Sequence, residues 1–179
     1  MGREKLTMEI GGLSLIERVK NALAGYCDEL LLVGGNVQPG GVRHVADRRS
    51  GRQGPLAGIE AGLAAARFDR VFVAAGDMPF LTQSLVGYLL GRLEGGDARA
   101  VVPRYGSRTH PLCAAYSRAL LPRVGAALDS GVLAVRGMLE GIDGVDYVEE
   151  LGRFGDPDVL LMNVNSPPDL ALARRMAER

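Results

Sequence analysis

The sequence has 179 residues with 21 basic and 21 acidic side chains, so its formal net charge is zero. A neutral chain has no general electrostatic attraction to nucleic acid or to an anionic membrane, and any anion site must be local. With 47% hydrophobic and 23% charged residues, the composition is that of a soluble globular protein. It excludes disordered and fibrous classes, and the length predicts a single domain over residues 1–179.

The glycine and cysteine contents indicate what kind of globular protein this is. The 25 glycines are about twice the average share, which indicates turns and close backbone approaches to a ligand. Cys27 and Cys113 lack metal-ligand spacing and indicate a reduced, cytoplasmic setting. The apolar runs are shorter than the roughly 18 residues that a membrane span needs, and the N-terminus lacks the apolar core of a secretory signal.

Hydrophobic spacing and capping residues predict an alternation of helices and strands. Helices are expected over residues 14–24, 54–67, 82–93, 118–128, 133–140 and from 166 to the C-terminus. Strands are expected over residues 29–33, 42–46, 71–75, 98–103, 111–116, 146–149 and 159–164. The runs 29–33 and 71–75 are expected to be buried on both faces. This alternation predicts an α/β domain with a largely parallel sheet, whose ligands lie beyond the carboxyl ends of the strands.

Polar residues follow several of these strands. Asp77 comes after the apolar run 71–75, where a carboxylate is costly unless it is paired or binds a metal such as Mg²⁺, although it could also begin a turn. Asn163 and Asn165 would share one face of a strand, while Asn165 could instead begin the turn before the last helix. The other candidates at strand ends are Gly34, Gly35, Asn36 and Asp47.

Basic residues collect in two places. One cluster surrounds Asp47 and is either a solvated face or a phosphate site; it comprises Arg43, His44, Arg48, Arg49 and Arg52. The other consists of Arg108 and His110, and His110 has no carboxylate partner nearby in sequence that would mark it as a general base. The sequence shows no hydrolase triad signature, Walker A motif or dinucleotide-binding glycine motif.

Five segments together resemble the molybdenum cofactor guanylyltransferases of the MobA type. In chain order they are Met1-Gly2-Arg3-Glu4-Lys5-Leu6, Gly54-Pro55-Leu56-Ala57-Gly58, Gly76-Asp77-Met78-Pro79, Arg108-Thr109-His110-Pro111 and Asn163-Val164-Asn165-Ser166-Pro167. The resemblance covers essentially the whole chain. It implies a Rossmann-like, three-layer nucleotidyltransferase fold and transfer of GMP from GTP to a molybdopterin-bound cofactor, with Mg²⁺ and release of pyrophosphate.

The resemblance also implies roles for individual residues. Lys5 and Asp77 match catalytic positions, with Lys5 on the nucleotide phosphates and Asp77 as the Mg²⁺ ligand. Gly34 and Asp47 match nucleotide-contacting positions, although relatives often have Asn where this chain has Gly34, so a backbone contact is expected there. Pterin or phosphate contacts are implied for Arg108, His110, Asn163 and Asn165. The implied partners are small-molecule substrates and the carrier or acceptor enzymes of the cofactor, with neither nucleic acid nor a membrane.

The N-terminus departs from the family's pattern. In the family, a buried strand and a Leu-Ala-Gly-Gly-x-x-x-Arg loop precede the segment that corresponds to Met1-Gly2-Arg3-Glu4-Lys5. About 15 to 20 residues, enough for one strand and its loop, are therefore expected to be missing before Met1. We interpret Met1 as an internal methionine assigned as the start.

Two alternatives remain open from the sequence. One is a related transferase that uses CTP or another nucleotide, although the cytidylyl relatives favour Asp-Gln-Pro where this chain has Asp77-Met78-Pro79. The other is an inactive binding or assembly homologue that lacks the nucleotide loop. The presence of Lys5, Asp47 and Asp77 favours an enzyme.

Overall fold

A computed structural model describes residues 5–35, 37–49 and 54–178. Residues Met1 to Glu4 of the N-terminal motif and the candidates Asn36 and Arg52 lie outside the described residues. The helices are α1 (Leu15–Leu23), α2 (Gly54–Ala65), α3 (Gln83–Gly95), α4 (Leu121–Asp129), α5 (Val135–Glu140), α6 (Pro157–Leu160) and α7 (Pro167–Ala177). The strands are β1 (Glu9–Ile10), β2 (Leu13–Ser14), β3 (Leu31–Val33), β4 (Arg43–Val45), β5 (Arg70–Ala74), β6 (Ala100–Tyr105), β7 (Arg108–Thr109), β8 (Cys113–Ser117) and β9 (Val145–Val148). Single turns of 3₁₀ helix lie at Lys5–Thr7, Arg118–Leu120 and Leu151–Phe154.

Helices α1, α3 and α7 begin at the capping residues that the sequence identifies. Ser14 and Glu17 form a reciprocal capping box at the start of α1, and Ser166 and Asp169 form another at the start of α7. The side chain of Thr82 accepts a backbone hydrogen bond at the start of α3. Such caps stabilise a helix by about 1 kcal/mol each because they satisfy backbone N–H groups that have no partner within the helix.

The main sheet is mixed. Its spatial order is β5-β8-β6, and β9 pairs with the other edge of β6. Strands β5, β6 and β9 run in one direction, as the sequence predicts, while β8 runs antiparallel between β5 and β6. The short strand β7 folds back on the end of β6 as a hairpin. Strands β3 and β4 form a separate parallel pair.

Helices cover both faces of the main sheet, so the domain has three layers. Because side chains alternate along a strand, β8 contributes Cys113 and Ala115 to one core and Ala114 and Tyr116 to the other. The first core lies against α1 and α3, and the second lies against α2, α4 and α5. This arrangement confirms the predicted α/β class.

Strands β3 and β5 are only half-buried, so the expectation that both faces of each strand are covered is wrong. A cavity of about 680 Å³ separates them and is lined by residues of both strands, by the end of α1 and by α3. Among the described residues, no strand pairs with β5 on the side away from β8, or with β3 on the side away from β4.

The expected strand over residues 159–164 is also wrong. Only its first two residues are regular, and they belong to the short helix α6 rather than to a strand. This helix forms because Asp156 caps it, with its side chain accepting from the backbone N–H of Asp158, and because Pro157 occupies the first helical position. The apolar residues Leu160 and Leu161 lie at the end of this helix, not on a strand, and are buried in the first core. Asn163 and Asn165 therefore lie on an irregular segment between α6 and α7.

Both cysteines are free, with Cys113 buried in the core and Cys27 half-buried beside the cavity between β3 and β5. In the described part of the chain, no helix has the length and apolar character needed to cross a membrane.

Candidate active site

Three side chains that are distant in sequence meet beyond the end of β5. The Lys5 ammonium donates to Asp77 Oδ2 at 2.6 Å and to Asn165 Oδ1 at 2.8 Å. The Lys5 and Asp77 side chains are 17% and 19% exposed, so this ion pair is partly shielded from water. The structure thus brings together three of the residues that the sequence singles out.

Backbone contacts hold these side chains in place. Asp77 follows β5 closely, and its carbonyl accepts a hydrogen bond from Val164 N at 2.9 Å. This bond fixes the segment that carries Asn163 and Asn165 beside Asp77, although the segment is not a strand. The Ser-Pro-Pro-Asp pattern predicts the helix start at Ser166, and the Asp169 carboxylate takes part in its cap. The same carboxylate accepts from Asn165 N at 2.9 Å, a contact with the candidate site that the sequence does not predict.

Two cavities open on either side of this group. One, of about 660 Å³, is lined by Asp77, the first residues of α2 and the start of α5. The other, of about 600 Å³, is lined by Arg108, Asp169 and the β6–β7 hairpin. His110, Asn163 and Asn165 line both. The arrangement offers adjoining spaces for two ligands that meet at Asn165.

His110 lies where β7 leads towards β8. Its backbone N–H donates to Pro103 O at 2.9 Å, which anchors the residue to β6. Burial, assisted by the positive charge of Arg108, lowers the pKa of the His110 imidazole below its ordinary value of 6.5. The imidazole is therefore neutral at pH 7 and presents one donor and one acceptor nitrogen.

Gly34 and Asp47 form a second group, at the ends of β3 and β4. Gly34 has φ +67°, in the left-handed region that favours glycine and tolerates asparagine. Its N–H donates to Val45 O at 3.0 Å, and a Cβ added there would lie 3.4 Å from Asp47 Oδ2. Of the residues described, Gly34 and Asp47 line neither of the two cavities around Asp77.

Two of the arginines near Asp47, Arg43 and Arg49, are engaged in ion pairs. Arg43 donates to Glu29 Oε1 at 2.8 Å, and Arg49 makes two bonds to Glu60 and one to Asp129. A guanidinium held by carboxylates in this way is not free to bind phosphate. These contacts do not support the expectation that Arg43 and Arg49 form a phosphate site.

The group around Lys5 has the chemistry of a cation site. Across residues 5–35, 37–49 and 54–178, no cluster of three His, Cys, Asp or Glu side chains is arranged to hold a metal. However, Asp77 Oδ2 and Asn165 Oδ1 converge on one cationic group, the Lys5 ammonium. A carboxylate and an amide oxygen suit Mg²⁺, which takes few protein ligands when phosphate oxygens and water complete its coordination. Asp77 and Asn165 therefore fit a metal that arrives with a phosphate ligand.

Known proteins resemble the chain over most of its length. The family model described as MobA-like NTP transferase domain matches residues 1–145. A protein of Pelotomaculum thermopropionicum named probable molybdenum cofactor guanylyltransferase is 37% identical over 183 positions, covering 99% of this chain and 87% of the relative.

Solved structures resemble the fold. The molybdopterin-guanine dinucleotide biosynthesis protein A of Archaeoglobus fulgidus superposes with a TM-score of 0.82 at 24% identity, covering 98% of this chain and 91% of that one. The 2-C-methyl-D-erythritol 4-phosphate cytidylyltransferase of Thermus thermophilus superposes with a TM-score of 0.73 at 22% identity, covering 98% and 94%. At these identities the likeness shows the fold alone, and it confirms the predicted α/β nucleotidyltransferase fold.

Proposed function

Because the chain belongs to the MobA-like NTP transferase family, we propose that it transfers GMP from GTP to a molybdopterin-type molybdenum cofactor and releases pyrophosphate. The observation that carries the proposal is the convergence of Asp77 and Asn165 on the Lys5 ammonium, at 2.6 and 2.8 Å. A nucleoside triphosphate needs both a metal ligand and a mobile positive charge at one point, and this group supplies both.

Lys5 and Asp77 have complementary roles in the proposed reaction. Asp77, with Asn165 beside it, would hold Mg²⁺, and the Lys5 ammonium would move from Asp77 to the triphosphate. When bound, Mg²⁺ would supply further positive charge to neutralise the phosphates. Lysine suits such a movement because its ammonium is a point charge on a flexible stem.

The transfer step needs no covalent nucleophile from the protein. A terminal phosphate oxygen of the acceptor forms a bond to the α-phosphorus of GTP, and the bond from that phosphorus to the bridging oxygen breaks. The electron pair of the broken bond leaves with pyrophosphate. Catalysis then consists of in-line positioning and stabilisation of charge, which the Lys5 ammonium provides at the phosphates.

The nucleotide contacts also include Gly34 and Asp47. Gly34 has no side chain that would separate its backbone from a ligand, and the Asp47 carboxylate lies directly beside it. The first residues of α2 line the cavity next to Asp77, and the N-terminus of a helix of this length attracts phosphate through its free N–H groups. These contacts would hold the two ends of the nucleotide.

The acceptor occupies the cavity on the far side of Asn165. Arg108 supplies the positive charge that a phosphate-bearing pterin requires, and the neutral His110 and the amide of Asn163 supply hydrogen bonds. His110 and Asn163 also line the cavity beside Asp77. An acceptor phosphate bound there would approach the reacting phosphorus directly.

A second candidate is transfer of a cytidylyl group, which the structural likeness to the Thermus thermophilus cytidylyltransferase favours at the level of fold. Titrating the protein with GTP and, separately, with CTP in the presence of Mg²⁺ distinguishes the candidates. The proposal requires GTP to bind at least about tenfold more tightly, a difference of about 1.4 kcal/mol. Tighter binding of CTP would contradict it, and binding of neither would indicate a non-catalytic role.

The proposed function also implies a cellular compartment and protein partners. The two free cysteines suit a reducing cytoplasm, and the nucleotide product would pass to carrier or acceptor enzymes of the molybdenum cofactor. Co-purification of the protein with such an acceptor, loaded with the dinucleotide form of the cofactor, tests that part.

A further inference from the structure

Arg49 connects three parts of the fold. It lies two residues beyond Asp47, where the chain leaves β4. Its guanidinium donates from Nε and from Nη2 to the two oxygens of Glu60 on α2, each at 2.8 Å. The remaining nitrogen donates to Asp129 Oδ1 at the end of α4, at 2.7 Å.

Glu60 is an unusual place for a negative charge. It is 6% exposed and is the one charged side chain in the buried class among the described residues. The hydrogen bonds from Arg49 lower the pKa of the Glu60 carboxyl, so the group is ionised at neutral pH. A buried carboxylate is costly unless it is paired. The ion pair with Glu60 therefore strongly favours the conformation in which Arg49 lies against α2.

The segment that Arg49 anchors is the one that carries Asp47. The Asp47 carboxylate lies beside Gly34, whose N–H donates a hydrogen bond to Val45 O at the end of β4. Since Arg49 lies only two positions after Asp47, the Glu60 pair limits how far the Asp47 carboxylate can move from Gly34. Arg49 itself is occupied by carboxylates and has no part in the group around Lys5.

We propose that Arg49 is a positioning residue that, through Glu60 and Asp129, holds Asp47 beside Gly34 and thereby sets the affinity of the protein for GTP. The inference rests on the proposed function, which assigns GTP to this site. Arg49 acts on binding of the nucleotide and does not act on the transfer step at Lys5 and Asp77.

The test is Arg49→Gln, compared with Arg49→Lys and with Glu29→Gln as a matched control. Glu29 is likewise a shielded carboxylate held by two arginines, Arg43 and Arg67, but it precedes β3 and so lies at the opposite end of that strand from Gly34. We expect Arg49→Gln to raise the KM for GTP about tenfold and to change kcat less than about threefold. Arg49→Lys, which keeps the charge but loses the paired bonds, is expected to lie between the wild type and Arg49→Gln.

The control separates positioning from simple loss of stability. Glu29→Gln is expected to lower Tm and to leave the KM for GTP within about twofold of the wild type. Hydrogen exchange at the amides of residues 46–49, which exclude the Glu29 partner Arg43, is expected to accelerate in Arg49→Gln and not in Glu29→Gln. If Arg49→Gln does not fold, Asp129→Asn, which removes one exposed partner, must shift the KM in the same direction.

An unchanged KM for GTP in folded Arg49→Gln, or an equal rise of KM in Glu29→Gln, would overturn the proposal while leaving the proposed function intact. A wild-type protein that binds no GTP would instead overturn both.

Discussion

Lys5 and Asp77 are 72 positions apart in sequence and are joined by a 2.6 Å ion pair beyond the end of β5. The pair is informative because Asn165 also contacts the same ammonium. The ammonium has three N–H donors, and the two oxygens that accept from it, a carboxylate oxygen and an amide oxygen, are of the kinds that also bind Mg²⁺.

Asp77→Asn is expected to reduce GMP transfer by about 10²-fold or more, the scale that follows removal of one group stabilising charge at a reacting centre. The substitution keeps the size of the side chain but removes the negative charge that a metal requires. Initial rates of pyrophosphate release at saturating GTP and Mg²⁺ measure the effect. Asp146→Asn is the control, because it removes the Arg92–Asp146 ion pair elsewhere on the surface and should leave the rate unchanged. Equal rates for the two variants would remove Asp77 from catalysis.

Gly34→Ala and Gly35→Ala separate backbone strain from ligand contact. Both glycines have positive φ, +67° and +71°, so each alanine should destabilise the fold by about 1–2 kcal/mol in urea unfolding. A Cβ at Gly34 would contact Asp47, whereas a Cβ at Gly35 would meet open space. We therefore expect Gly34→Ala alone to weaken GTP binding, by roughly fivefold for a loss of about 1 kcal/mol. Equal GTP affinities in the two variants would refute a contact at Gly34.

His110 is expected to make stability depend on pH. Its pKa is lowered in the folded protein, so the unfolded chain binds more protons below about pH 6.5 and stability rises with pH in that range. The contribution is complete above the ordinary pKa of 6.5 and is lost as pH falls from 6.5 towards the lowered pKa. Urea unfolding from about pH 5 to about pH 7.5 should show a flatter profile for His110→Gln than for the wild type. Parallel profiles would show that burial of His110 has no energetic consequence.

Local signals in the sequence predict much of the fold. The capping residues Ser14, Thr82 and Ser166 mark helix starts that the structure contains, and the apolar runs mark β3 and β5. The prediction for segment 159–164 is wrong because an apolar run is compatible with strand or helix, and the Asp156-Pro157 cap that decides for a helix lies before it. Half-burial of β3 and β5 could not be predicted from their composition because burial depends on which neighbours are present.

The sequence predicts which residues belong to the candidate site better than it predicts which of them contact one another. Asp77 stands out because it follows an apolar run, where a carboxylate needs a partner, but nothing local identifies Lys5 and Asn165 as the partners. Long-range contacts of this kind depend on how the chain crosses the sheet. The ion pair between Arg49 and Glu60 was likewise not predictable from the sequence. Glu60 lies on an alanine-rich helix and is buried because α2 packs against α4.

A guanylyl transfer site around Lys5 and Asp77 is the main element of the proposed function. Incubation of the protein with molybdopterin-bound molybdenum cofactor, Mg²⁺ and either GTP or CTP, followed by measurement of pyrophosphate and of the dinucleotide product, tests it most directly. We expect equal amounts of pyrophosphate and guanine dinucleotide from GTP, little product from CTP, and loss of both products in Asp77→Asn. Preference for CTP, or a rate that is the same in Asp77→Asn as in the wild type, would contradict the proposed function.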